Sequence, residues 1–89
     1  MEDGGRRNRT TLGPQVGQLV MVRKHGPRGF EDIAWGHVVG GRSGKPEVRI
    51  DGCLPDRFTG RFAYNEGDVV TFRRSEGYAV SPTPTPPLR

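Results

Sequence analysis

Gly17-Gln18-Leu19-Val20-Met21-Val22-Arg23-Lys24 and Gly67-Asp68-Val69-Val70-Thr71-Phe72-Arg73-Arg74 are near copies of each other: a glycine turn, a short apolar run, then a pair of cations. Runs of this length, rich in valine and opened by glycine, read as β-strands. Between the copies lie Ile33-Ala34-Trp35-Gly36-His37-Val38-Val39 and Glu47-Val48-Arg49-Ile50, which have the same character. No stretch of helical length carries a 3.6-residue apolar stripe. The chain is therefore predicted to be all-β.

Working outward, the first strand is predicted over Val16–Lys24. Val16, Gln18, Val20 and Val22 share one face, Leu19 and Met21 the other. Both faces are apolar in mid-strand, so either the strand is coiled and covered on both sides, or Leu19 and Met21 meet a partner chain. A polar loop, His25–Asp32, carries Phe30 and leads to a second strand, Ile33–Val39, which holds the only tryptophan, Trp35. Gly40–Pro46 reads as a hairpin connection and Glu47–Ile50 as the third strand, with Asp51-Gly52 a turn signal behind it. Phe58, Phe62 and Tyr64 share one parity of a short alternating piece. Asn65-Glu66-Gly67 then turns the chain into a strand at Val69–Arg74, and Ser75-Glu76-Gly77 into Tyr78-Ala79-Val80. The count is five or six strands, mostly antiparallel.

Length and composition bound the rest. A chain of 89 residues is one domain at most, and its 31% apolar content, helped by 14 glycines, allows a small core. Oligomerisation or a partner would help so small a domain. The single cysteine, Cys53, excludes an internal disulfide framework. Neither a signal peptide nor a transmembrane span is predicted, and the expected address is the cytoplasm, or a virion if a phage encodes the chain. Residues 1–12 read as a flexible arm, 13–80 as the domain, and 81–89 as a Pro/Thr-rich extended tail. Pro84-Thr85-Pro86-Pro87-Leu88-Arg89 fits a Pro-x-x-Pro-x-Arg pattern, but in such a composition it reads as a solubilising or tethering tail.

The net charge of +4 is spread thinly. Between residues 13 and 80 there are ten bases against eight acids, interspersed. A duplex binder usually shows a one-signed face, which composition alone does not display here.

The order of a strand with Gly-x-x-Val, a polar loop, a strand with Trp-Gly-x-Val-Val, a hairpin and a strand with Val-x-Ile-Asp resembles an SH3-like barrel. Gln18–Lys24, Ala34–Val39 and Val48–Asp51 carry the resemblance. Gly67–Phe72 is similar to the late strand that such barrels often begin with Gly-Asp. The likeness spans roughly residues 16–80 and is one of architecture. It reaches Tudor-like and KOW-type nucleic-acid modules, plasmid-type dihydrofolate reductase barrels and phage head–tail connector proteins. An OB-type barrel is the rival, but it usually has a helix between its third and fourth strands, for which the sequence offers no stretch.

No motif demands chemistry. Gly40–Pro46 is not a phosphate loop, because Val39 stands in the first glycine's place and Pro46 in that of the hydroxyl. His25, His37 and Cys53 lack metal-ligand spacing. Cys53 has no paired base, and no carboxylate pair or serine–histidine arrangement stands out. The expectation is a non-enzymatic module without metal, cofactor, membrane or small-molecule substrate. Two binding roles remain. The first is a protein-interaction or structural subunit, of a phage particle or connector for example, docking or self-associating through Leu19, Met21, Phe30 and Trp35. Trp35 would be either core or a face residue beside Phe30, Tyr64 or Tyr78. The second is a nucleic-acid module using Arg23, Lys24, Arg28, Arg42, Lys45, Arg73 and Arg74. Balanced body charge favours the first. Clustering of Arg42, Lys45, Arg73 and Arg74 on one face would favour the second.

Overall fold

A computed structural model describes residues 14–84 of the chain. The arm at 1–12 and the tail beyond Pro84 lie outside the described residues. Five antiparallel strands form one sheet: β1 Leu19–Gly26, β2 Gly29–Arg42, β3 Lys45–Cys53, β4 Val69–Thr71 and β5 Tyr78–Pro82. Their spatial order is β4-β3-β2-β1-β5. The only helical piece among the described residues is a 3₁₀ turn, Arg74–Glu76, between β4 and β5. The all-β expectation therefore stands.

Two boundaries differ from the sequence reading for one reason: tight turns let the strands run further. The expected loop His25–Asp32 is a hairpin whose strands meet at Gly26 and Gly29, leaving Pro27-Arg28 as its tip. The connection Gly40–Pro46 likewise shrinks to Ser43-Gly44, with Gly44 in the left-handed region at φ 83°. Asp51-Gly52 is no turn. Both residues sit inside β3, where Gly52 pairs with Trp35 and Asp51 is the extra residue of a bulge. Glycine is required there because a Cβ on Gly52 would lie 2.4 Å from the Trp35 ring. Phe58–Tyr64 forms no strand; it belongs to the irregular segment between β3 and β4. At the far end β5 continues through Pro82, which pairs with Val20. An edge position tolerates this proline because its missing N–H faces away from the ladder.

Val20, Val22, Ala34, Val38, Val48, Ile50, Cys53 and Phe72 form the core on one face of the sheet. The sheet curls strongly about them. Phe72 lies just past one edge strand and Tyr78 begins the other, yet their ring centroids are 5.2 Å apart. Flat, a five-strand sheet would hold its edges roughly 19 Å apart. Phe72, fully buried, also meets Tyr64 edge-on at 5.7 Å. The opposite face is covered in part from within. Met21 and Trp35 are cross-strand partners, only 8% and 6% exposed, with the indole lying over Gly52. The doubly apolar first strand is thus coiled and covered on both sides at Met21.

Tyr64 closes the core beneath the long loop. Its hydroxyl is pushed up to about 12, first by burial, then by the neighbouring Tyr78 phenol and Cys53 thiol. The folded chain keeps a proton that the unfolded chain gives up near pH 10. This contribution is complete below about pH 10 and is lost as pH rises toward 12. Thermal melts from pH 9 to 12 are expected to fall more steeply above pH 10 for the native chain than for Tyr64→Phe; parallel curves would refute it.

Candidate nucleic-acid interface

The β2–β3 hairpin ends in two cations, Arg42 and Lys45, placed directly opposite each other across the ladder. The register of β3 with β4 pairs Glu47 with Thr71. Past the formal end of β4 the ladder continues: the Phe72 N–H donates to the Pro46 carbonyl at 3.0 Å and the Arg74 N–H to that of Gly44 at 2.8 Å. Arg73, extended at φ −91° and ψ 125°, therefore stands opposite Lys45. Alternation puts all three side chains on one face: Pro46, Val48 and Phe72 point to the core side, so Lys45 and Arg73 point away from it.

Arg42, Lys45 and Arg73 form a cross-strand row of three like charges, with opposed Cβ atoms about 4.5–5.5 Å apart. All three are exposed, and none makes an ion pair among the described residues. Like charges opposite one another disfavour the pairing, and Glu47 is the next residue along the same face of β3. Arg74 stands beside it in the 3₁₀ turn. It borders a groove of about 640 Å³ lined also by Ser43, Gly44, Pro46, Phe72 and Tyr78. One further cation, Arg49, lies on the same face of β3, 3.7 Å from Asp51. Asp51 also meets His37 Nδ1 at 2.6 Å, off the line of a hydrogen bond, with that nitrogen shielded from water.

The other sequence-selected cations are elsewhere, and two of the three are engaged. Arg23 donates through Nε to Asp32 at 2.8 Å, and Lys24 Nζ lies 4.3 Å over the Tyr78 ring. Arg28 sits at the tip of the β1–β2 hairpin, at the opposite end of β2 from Arg42. Of the seven expected bases, the fold brings together Arg42, Lys45, Arg73 and Arg74 and separates the rest.

The candidate docking residues do not gather into a patch. Met21 and Trp35 are buried, and little of either is left for a partner. Leu19 is half-buried; across the outer face it is separated from exposed Val69 by His37 and Arg49. Phe30 is exposed beside the β1–β2 hairpin tip, edge-on to His25 at 5.2 Å, and borders the same groove as Arg74. Cys53 is a buried free thiol that donates to the Tyr64 carbonyl at 3.4 Å. Among the described residues no His, Cys, Asp and Glu cluster is placed to hold a metal, and no helix is long and apolar enough to cross a membrane.

Two exposed rings were not selected from sequence as site residues. Phe58 and Phe62 share one parity of an alternating piece in the sequence, but the structure has no strand there. Their spacing held no signal for the loop they occupy. Comparison with known protein families, with curated proteins and with solved structures finds no match to this chain.

Proposed function

We propose that this chain is an SH3-like small barrel that binds nucleic acid through the row Arg42, Lys45 and Arg73, with Arg74 beside it. It acts by binding, without a catalytic step, in the cytoplasm. The barrel reading is supported by the near meeting of Phe72 and Tyr78 at the two sheet edges and by the 3₁₀ turn that joins them. One observation carries the functional reading: the three aligned cations, retained although they repel one another. A polyphosphate relieves that repulsion, since each neutralised phosphate releases a condensed counterion. A docking subunit is less well supported, because Met21 and Trp35 are spent inside the fold.

Lys45→Glu tests this directly, since position 45 lies between Arg42 and Arg73. The variant turns two repulsive cross-strand neighbours into attractive ones, each worth about 0.2–1 kcal/mol. Its melting temperature is expected to hold or to rise by a few degrees. Oligonucleotide affinity is expected to fall about tenfold or more, equivalent to the roughly 1.5–3 kcal/mol of a hydrogen bond to a charged group. The slope of log affinity on log salt should become shallower by about 0.7 per lost contact on a single strand. Unchanged affinity and slope in a normally folded variant would refute the reading.

A further inference from the structure

The segment between β3 and β4 displays two rings that the fold leaves bare: Phe58 is 88% exposed and Phe62 63%. The turn beneath Phe58 is tightly bonded. The Asp56 carboxylate accepts the N–H groups of Phe58 and Thr59 at 2.8 and 2.9 Å. Its backbone N–H donates to the Arg61 carbonyl, and its carbonyl accepts from Gly60, both at 2.8 Å. The Arg61 N–H donates to Thr59 Oγ1 at 3.2 Å. The Thr59 and Phe58 amides hold the Asp56 carboxyl below its usual range. These bonds hold the backbone that carries Phe58.

Arginines flank the rings. Arg57 reaches Glu31 at 3.3 Å, and Arg61 makes no ion pair among the described residues. Beside Phe58 opens a cavity of about 650 Å³, lined by Tyr64 and Tyr78, by the cations Lys24, Arg57 and Arg61, and by the carboxylates Glu31, Asp32 and Asp56. The cationic row lies at the other end of β3, eight residues from Cys53 along the strand.

We infer that this loop is a stacking platform for unpaired bases, so that the ligand is a single strand rather than a duplex. The inference rests on the proposed nucleic-acid function and names its ligand class. A duplex hides its base faces and offers only phosphates and groove edges to a bare ring. A single strand offers π-faces, and each stacked base contributes roughly fivefold to a hundredfold in affinity. Arg61 and the distant row carry the charge that complements the phosphates on either side of the stacked bases.

The test is fluorescence anisotropy of the full chain with a labelled 12-nucleotide single strand of mixed sequence and with the corresponding duplex. Both rings are exposed, so Phe58→Ala/Phe62→Ala should keep the native melt. It is expected to lose about tenfold or more for the single strand while its duplex affinity and salt slope stay unchanged. Phe58→Tyr/Phe62→Tyr should retain binding. Phe58→Leu/Phe62→Leu, apolar but without a π-face, should not. Equal native affinity for duplex and single strand, or no loss in the alanine variant, would overturn the inference. The proposed function would survive that result if Lys45→Glu still weakened binding. A native chain that binds neither oligonucleotide overturns both. A self-associated mass that collapses in the alanine variant would assign the rings to a protein contact and also overturn the inference.

Discussion

Phe72→Ala is expected to cost about 3–5 kcal/mol, the full range for removing a buried aromatic. A domain of this size has only about 5–15 kcal/mol in total, so the variant should lose a large share of its stability. The reason is position as well as volume. Phe72 is fully buried and belongs to neither edge strand, yet its ring contacts Tyr64 at 5.7 Å and Tyr78 at 5.2 Å. Each such edge-on pair adds about 0.5–1.5 kcal/mol beyond the area it buries. The ring thus bridges the two sheet edges from inside. Urea titration followed by circular dichroism is the measurement. A loss under about 1.5 kcal/mol would mean that the edges are held by something other than this residue.

A single methyl group at position 36 should do nearly as much damage. The Cβ of Gly36→Ala would fall 2.0 Å from the Arg49 carbonyl oxygen and 2.9 Å from its carbon. Both are backbone atoms, so no rotamer change relieves the clash. The β3 chain approaches this closely because the ladder shifts register between Trp35 and Gly36, with Asp51 as the extra residue. Opening that bulge is expected to cost about 2–3 kcal/mol, the upper part of the roughly 1–3 kcal/mol typical of overpacking. For a domain this size the melting temperature should fall by roughly 10–20 °C. Gly26→Ala is the control: its Cβ would meet nothing nearer than the Gly29 carbonyl at 3.7 Å, so it should be tolerated. Equal melting temperatures for the two variants would disprove the steric account.

What could be read in advance divides along a physical line. Strand identity was legible because valine runs and glycine turns are local signals. The facing of Arg42 and Lys45 follows from a two-residue hairpin tip and was within reach of the sequence. The alignment of Arg73 with them was not. It depends on pairing β3 with β4 across the long segment from Leu54 to Asp68, and nothing local specifies that register. Bulges compound the difficulty, since each extra residue, such as Asp51, reverses the alternation that follows it. Trp35 is a different case. Its burial depends on Gly52 opposite, a glycine whose Asp-Gly context signals a turn more strongly than a seat for an indole. Phe58 and Phe62 were misread because strand-like alternation was outweighed by the hydrogen bonds of Asp56.

The way the folded part begins and ends has its own consequence. The Thr83 N–H donates to the Leu19 carbonyl, so the point where the chain enters the sheet and the point where it leaves are neighbours. A module with adjoining entry and exit behaves like a plug with both wires on one side. It can be spliced into a surface loop of a host protein without stretching the host.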